Sequence, residues 1–247
     1  MVRFAQALIQ GGACAIMNKK CQADILDLKA AVGPQLYQAL YNRIVRGELT
    51  PDTRLSEVEI ASVYGTSRQP VREAFIKLVD AGLIEVRPQR GSYVRRIDPA
   101  AVRSAQFVRE AVEADIVRYV AAQATPAICK ELEAMLTAQE EAAGIEDPRP
   151  FMASDEAFHR KLAEIAEQGA GWAFLQPLKT QMDRVRHLSA SQFPRRDLVL
   201  QHRQIVDAIT AGDGNTAERH MRKHLRRILE DLPRVAASVP EFFELGK

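Results

Sequence analysis

The stretch that decides the fold of the first part of the chain lies at residues 56–82 and reads SEVEIASVYGTSRQPVREAFIKLVDAG. A capping-box pattern beginning at Ser56 starts one helix, and Gly65 interrupts it after two turns. Ser67 suits the N-cap of a second helix, whose apolar residues recur at helical spacing until Gly82. Two short helices joined by a tight glycine turn predict a helix-turn-helix.

The residues on both sides complete the unit. Before the stretch, apolar residues recur at helical spacing between Pro34 and Gly47, which predicts a first helix. After it, residues 83–87 and 92–95 form two apolar runs around a Pro-Gln-Arg-Gly turn, which predicts a β-hairpin. Three helices followed by a hairpin predict a winged helix-turn-helix over residues 34–97.

This arrangement presents its third helix to a major groove of DNA. Arginines four residues apart lie together on the polar face at the start of that helix, and another arginine lies at the hairpin tip. A helix N-terminus also favours a phosphate anion. The candidate DNA-contacting residues are Ser67, Arg68, Gln69, Arg72, Arg90 and Gly91. The alternative is a small α/β module whose arginines are solvated.

From residue 98 onward the pattern is helical throughout, beginning with Asp98 and Pro99 as N-cap and first helical residue. No segment alternates with a period of two, so we expect an all-α antiparallel bundle over residues 98–233. Residues 1–33 are expected to be an extension with a short helix near 22–30, and residues 234–247 a C-terminal tail. The helices are expected at 98–124, 126–144, 149–168, 171–190, 195–211 and 215–232.

All five histidines of the chain lie in this second part. Asp155 and His159 are one helical turn apart beside an apolar stripe, and His202 and His224 lie beside the apolar stripes of two later helices. A buried imidazole usually has a partner within the core, but three inward histidines with one carboxylate also suit a divalent ion. We expect Zn²⁺, with Ni²⁺ or Mn²⁺ as alternatives.

The remaining basic residues of the second part are given minor roles. His220 is expected to face solvent or an interface. His187 is a candidate for lining a pocket, whereas Arg184 and Arg186 are interpreted as surface charge. The pairs at 195–196 and 226–227 are interpreted as solvated arginines.

Composition narrows the class of protein. The chain has 247 residues, a net charge of +2 and only three cysteines, which is atypical of a disulfide-stabilised secreted protein. No apolar run approaches the length of a membrane span, and no signal peptide is evident, so we expect a cytoplasmic protein that does not enter a membrane. Residues 34–97 carry ten basic and seven acidic residues, an excess that suits contact with DNA.

The segment 47–91, with the core SRQPVREA at 67–74, closely resembles the N-terminal domain of GntR-family bacterial transcription regulators. The segments DEAFHRKL at 155–162, QHRQIVDAI at 201–209 and MRKHL at 221–225 look like the three metal-ligand motifs of the FCD effector domain of the FadR-type subfamily. This resemblance implies that the metal ligands are Asp155, His159, His202 and His224.

The same resemblance assigns one further residue and shows two departures. REAVE at 109–113 is similar to a signature of the first FCD helix, which implies that Arg109 clamps the carboxylate of an effector. Asp52 replaces a glycine that the family usually has in a turn, and we expect no strain there because aspartate suits turns. Trp172 stands in a loop where the family usually has asparagine nearby.

The prediction is therefore a ligand-responsive repressor, not an enzyme, that binds a palindromic operator on double-stranded DNA as a homodimer. Its effector is expected to be a small carboxylate or sugar acid, held by the metal and Arg109. The alternative is a metal-dependent hydrolase or lyase with Glu113 or Glu156 as general base. A third interpretation makes the metal ion purely structural.

Overall fold

A computed structural model describes residues 26–244 of the chain apart from residues 28, 191 and 193. Most of the predicted N-terminal extension, including most of its short helix, lies outside the described residues. The chain divides into two compact units. The first extends to Ile97 and also includes the segment from Glu241 onward, and the second comprises Asp98–Pro240.

The first unit is a winged helix-turn-helix, which confirms the predicted fold. The helix preceding the turn begins at Ser56, whose hydroxyl accepts a hydrogen bond from the Glu59 amide at 3.4 Å. A two-residue strand that the sequence analysis did not predict precedes this helix. Two residues are too few to show an alternating pattern. In order, the elements are α1 (Val32–Val45), β1 (Arg54–Leu55), α2 (Glu57–Val63), α3 (Arg68–Asp80), β2 (Ile84–Arg87) and β3 (Gly91–Val94).

The three strands form an antiparallel sheet in the order β1-β3-β2, with Arg87 opposite Gly91 at the tip of the hairpin. Helix α1 packs against α3. Their apolar faces share one core with the sheet, which includes the fully buried residues Leu36, Leu40, Val71, Leu78 and Val94. This core fixes α3 with its polar face outward.

The C-terminal end of the described chain belongs to this first unit. A 3₁₀ helix (Pro240–Phe242) precedes a bridge in which Ile97 N donates to Phe242 O at 2.7 Å and Glu244 N donates to Ile97 O at 2.9 Å. Phe242 and Phe243 are buried. Residues of the expected tail therefore contribute to the folded unit that contains the hairpin.

The second unit is an all-α bundle, as predicted. Its helices are α4 (Pro99–Ala122), α5 (Pro126–Ala143), α6 (Pro148–Ile165), α7 (Gly169–Leu178), α8 (Thr180–Ala190), α9 (Arg195–Thr210) and α10 (Gly214–Ser238). Asp98 caps α4 by accepting a hydrogen bond from the Ala100 amide at 2.8 Å. None of the helices in the described ranges is both long and apolar enough to cross a lipid bilayer.

One predicted helix is wrong, because the single helix expected over 171–190 is two helices separated at Lys179. Pro177 has no amide hydrogen to donate within the helix. Its carbonyl accepts a hydrogen bond from the Thr180 hydroxyl at 2.8 Å, which satisfies this group at the break.

Helix α4 lies at the centre of the bundle and packs against α6, α8, α9 and α10. The core includes fully buried residues from four of these helices, namely Val117, Val120, Phe158, Ile205, Ile209 and Met221. Trp172, near which the family usually has asparagine, is buried in the same core and contributes to its packing. The central helices carry the polar residues described next.

Candidate metal centre and nucleic-acid interface

Three histidines from three helices converge inside the bundle. His159 lies on α6, His202 on α9 and His224 on α10, and each is at most 5% exposed. The Nε2 atoms of His202 and His224 are 3.1 Å apart, and those of His224 and His159 are 3.2 Å apart. Imidazoles that ligate one ion at about 2.0–2.1 Å place their nitrogens at roughly this separation.

The outward nitrogen of each ring has its own acceptor. Nδ1 of His159 lies 2.5 Å from Glu113 Oε2, and Nδ1 of His202 lies 2.7 Å from Gln139 Oε1. Nδ1 of His224 lies 2.9 Å from Gln201 Oε1. Because carboxylate and amide oxygens accept hydrogen bonds, these contacts place the ring proton on Nδ1 and direct the Nε2 lone pair inward.

Burial also keeps two of these rings uncharged. Desolvation, reinforced by neighbouring positive groups, lowers the pKa of His202 to about 3. Desolvation likewise holds the pKa of His224 well below its ordinary value. Neutral imidazoles whose lone pairs face one another repel unless a cation lies between them.

Asp155 completes the group from the same helix as His159. It is fully buried, and its Oδ1 atom has no hydrogen-bond partner among the described residues. Oδ1 lies 3.8 Å from His202 Nε2, and Oδ2 contacts Arg186. Burial opposes the charged form, but the charge of Arg186 outweighs it and holds the pKa of Asp155 well below its usual range.

The four predicted ligands are therefore brought together, and one atom from each lies within 4.8 Å of the others. Three inward imidazole nitrogens and a buried carboxylate oxygen that lacks a partner fit a divalent ion. In the described part of the chain this group contains neither His187 nor His220, both of which are half-buried.

A buried ion pair supports the group from α4. Glu113 accepts from His159 through Oε2 and from Arg109 through Oε1. Burial alone would raise the pKa of Glu113, but the charge of Arg109 and the hydrogen bond from His159 lower it to about 2. Arg109 Nη2 is buried and has no hydrogen-bond partner among the described residues.

A cavity of about 680 Å³, counted to its open mouth, adjoins the histidine group. The lining residues include Arg109, Met182, Arg186, Arg195, His224 and Arg227. The structure therefore places the predicted effector clamp, Arg109, beside a predicted metal ligand.

The interpretation of several arginines as surface charge is wrong. Arg184 is 1% exposed, and the Arg186 side chain is 13% exposed and contacts Asp155. Arg195 lines the cavity and donates to the Ile145 carbonyl at 2.7 Å, and Arg227 lines the same cavity. Helical periodicity missed them because a buried or cavity-lining arginine has the same sequence pattern as an exposed one.

The predicted DNA-contacting residues form an exposed set in the first unit. Ser67 occupies the N-cap position of α3, although its side chain makes no capping hydrogen bond. The side chains of Arg68 and Arg72 are 64% and 63% exposed, and both lie near Glu57 on α2. The Arg68–Glu57 distance is 3.1 Å and the Arg72–Glu57 distance is 3.6 Å.

The other members of the set lie on α3 and at the hairpin turn. Gln69 donates to Glu73 at 3.2 Å across one turn of α3. Arg90 and Gly91 are exposed at the turn, and Gly91 has a φ of 104°, a conformation that L side chains rarely adopt. The exposed backbone at this tip is accessible to a nucleic acid.

The turn residue Asp52 has a φ of 62°, a left-handed conformation that glycine adopts freely and that aspartate tolerates better than most residues. Its carboxylate accepts hydrogen bonds from Arg87 at 2.6 Å and from Arg96 at 3.1 Å, and the Arg87 bond is the first cause of its lowered pKa. The aspartate therefore ties Arg87 near the hairpin tip and Arg96 after β3 to the loop before β1.

Known proteins resemble the chain over both units. Residues 33–94 match the description of bacterial regulatory proteins of the gntR family, and residues 106–227 match the FCD domain. The chain is 39% identical over 213 residues to the HTH-type transcriptional repressor RspR of Escherichia coli (strain K12), a match covering 86% of this chain and 93% of RspR.

A second relative is the probable D-xylose utilization operon transcriptional repressor of Paenarthrobacter nicotinovorans, 31% identical over 201 residues, which are 81% of this chain and 88% of that one. The solved structure of E. coli McbR/YncC aligns with a TM-score of 0.71, covering 83% of this chain and 98% of its own at 19% identity, and so shows a common fold. The chain therefore belongs to the GntR family of bacterial transcriptional regulators, with an FCD domain as its second unit.

Proposed function

We propose that the protein is a transcriptional repressor that binds a palindromic operator as a homodimer and responds to a small carboxylate or sugar acid bound beside a divalent metal ion. The observation that carries this proposal is the inward convergence of three histidine Nε2 atoms on the unpartnered Oδ1 of Asp155. Because bacterial operator DNA lies in the cytoplasm, we propose that the protein acts there.

The residues that would hold the ion are Asp155, His159, His202 and His224. One oxygen and three nitrogens suit Zn²⁺ best, with Ni²⁺ and Mn²⁺ as alternatives. When bound, the ion supplies positive charge and open coordination positions for an oxygen-bearing ligand. Glu113, Gln139 and Gln201 hold the imidazole rings in the orientation that this requires.

The cavity supports an anionic effector. Arg109, Arg186 and Arg227 line the cavity. The Nη2 atom of Arg109 has no hydrogen-bond partner among the described residues, so it can donate to a ligand. A guanidinium binds a carboxylate through two parallel hydrogen bonds, which makes arginine a better clamp than lysine. Arg109 is the proposed effector-binding residue because the adjacent Glu113 fixes one edge of its guanidinium and leaves another free.

The DNA-contacting residues are proposed to act from α3 and the hairpin. Arg68 and Arg72 lie at the N-terminus of α3, and Glu57 holds both in the free protein. An exposed ion pair contributes only about 0–1 kcal/mol, so a phosphate can replace Glu57 at low cost. Replacing Arg68 or Arg72 by alanine should weaken a gel shift with operator DNA, and an unchanged shift would reject the assigned contact.

A homodimer is supported by apolar surface on the second unit. Phe107 on α4 is 73% exposed and Phe174 on α7 is 78% exposed. Val108 follows Phe107 directly, and Leu178 lies one helical turn after Phe174; both are also exposed. Helices α4 and α7 pack against each other, and such exposed apolar residues favour a protein interface. Sedimentation should detect a dimer, and Phe107→Glu should shift it toward monomer; a wild-type protein that sediments as a monomer contradicts the proposal.

The alternative function is a metal-dependent hydrolase or lyase with Glu113 or Glu156 as general base. The surroundings of these two carboxylates disfavour it. Glu113 is bound to Arg109 and His159, and Glu156 accepts from Lys179 at 2.7 Å. Charge partners outweigh burial and lower the pKa of both carboxyls. A general base works best with a pKa near the operating pH, and these carboxylates are stabilised in their ionised form instead.

A thermal-shift screen of small carboxylates and sugar acids, with and without a chelator, tests ligand class and metal dependence together. The proposal predicts a compound that raises the melting temperature of the metal-loaded protein, loses its effect after chelation and binds Arg109→Ala weakly. Arg195→Gln is the control, since its guanidinium donates to backbone carbonyls. Stabilisation that survives chelation would support the structural-ion alternative.

A further inference from the structure

We infer that Arg186 and the metal ion compete for the Asp155 carboxylate, so that Arg186 holds the site in its metal-free form and is released toward the cavity when an ion binds. This inference rests on the proposed metal site. Arg186 was expected from the sequence to be a surface charge.

The first observation is the contact itself. Arg186 Nη2 donates to Asp155 Oδ2, and the carboxylate is fully buried. Among the described residues, Asp183 and Glu156 are the other acidic groups that act on this guanidinium, and Asp183 Oδ1 lies 3.9 Å from Arg186 Nη1, beyond hydrogen-bond range. Asp155 is therefore the main partner of Arg186 in the described structure.

The second observation is the charge around the site. Glu113 is already paired with Arg109, and both Glu156 and Asp183 contact Lys179. Among the described residues, Arg186 is the arginine that contacts Asp155 directly, whereas His202 Nε2 lies 3.8 Å away. A buried carboxylate needs one compensating cation, and in this structure the guanidinium supplies it.

A divalent ion among the histidines would satisfy the same need. Asp155 Oδ1 faces His202 Nε2 at 3.8 Å, so the carboxylate can turn toward the histidines. Arg186 and the ion would then repel each other, since two cations would share one buried carboxylate. Ion binding therefore weakens the Arg186–Asp155 pair, and by linkage the pair weakens ion binding.

A guanidinium released from Asp155 could move into the adjoining cavity. Arg186 lines the same cavity as Arg109, so both can face one bound anion. A released Arg186 would thus add a second guanidinium for a carboxylate bound in the cavity.

The test uses the full-length protein and Zn²⁺ alone, titrated against a chelating dye. Arg186→Gln should bind Zn²⁺ about 10–100-fold more tightly than wild type, because the substitution removes a positive charge that repels the ion. Arg186→Lys should restore the competition and return the affinity toward the wild-type value. Arg195→Gln, which lines the same cavity without touching Asp155, should match wild type.

A second measurement needs no variant. In wild-type protein, the Arg186 side-chain N–H signals in a ¹⁵N spectrum should exchange with solvent faster after Zn²⁺ is added. Equal or weaker Zn²⁺ binding by folded Arg186→Gln, or unchanged exchange at Arg186, overturns the competition. Absence of any Zn²⁺, Ni²⁺ or Mn²⁺ binding by wild type instead overturns the proposed metal site.

Discussion

Replacing Glu113 by glutamine tests how α4 supports the proposed metal ligands. The Glu113 carboxylate lies 2.5 Å from His159 Nδ1 and also binds Arg109, and all three side chains are buried. The amide removes the negative charge that raises the basicity of the imidazole. It also leaves the Arg109 guanidinium buried without its counter-charge.

Two magnitudes follow from these contacts. Loss of a hydrogen-bond partner of a metal ligand usually lowers metal affinity by about 10–100-fold, or about 1.4–2.7 kcal/mol. Removing one partner of a buried ion pair costs about 3–5 kcal/mol of unfolding free energy. A chelating-dye titration measures the first effect, and urea unfolding of the metal-free protein measures the second.

Glu110→Gln is the matched control on the same helix. Glu110 is bound to Arg222 and Arg226, whose side chains are 36% and 60% exposed, and it does not contact a histidine of the group. We expect wild-type metal affinity and a stability loss below about 1 kcal/mol. If folded Glu113→Gln binds metal as tightly as Glu110→Gln, the reasoning about the support of His159 is refuted.

Three further predictions concern DNA affinity, pH and the C-terminal segment. Arg68→Ala should reduce operator affinity and lower the slope of log affinity against log salt by about 0.9, measured by fluorescence anisotropy; an unchanged slope would exclude a phosphate contact. Burial lowers the pKa of His202 to about 3 and that of His224 well below 6.5, so only the unfolded chain gains these protons as the pH falls from about 6.5. Urea unfolding of metal-free protein should therefore show a stability loss of up to about 1.4 kcal/mol per pH unit for each histidine, and equal stability at pH 7 and 5.5 would contradict it. Phe243→Ala should cost about 3 kcal/mol by calorimetry because Phe243 is buried, whereas the exposed Ile76→Ala should cost less than about 0.5 kcal/mol; equal effects would exclude a packing role for the segment.

The fold was largely predictable because its signals are local. Capping at Ser56 and Asp98 and the helical spacing of apolar residues depend on neighbours within one or two turns. The break at Lys179 was missed because the apolar pattern continues across it, and the short strand β1 because its partner lies in a distant segment. Burial of Phe243 likewise depends on pairing with Ile97, which no periodicity encodes.

The candidate site was predictable only in its innermost residues. Asp155 and His159 lie one helical turn apart, so their proximity follows from the sequence alone. Gln139 and Gln201 were missed because each holds a histidine from another helix. Gln201 adjoins His202 in sequence yet binds His224, so sequence proximity gives the wrong partner. Arg186 was misassigned for the same reason, because its carboxylate lies 31 positions away.

Metal stoichiometry of the purified protein tests the central claim most directly. Elemental analysis after dialysis against Zn²⁺ and removal of loosely bound ions should find one ion per chain in wild type and in the control His220→Gln. His202→Ala and His224→Ala should lose it, since each removes one of the four converging donors. One retained ion per chain in both folded alanine variants, or none in wild type, would contradict the account.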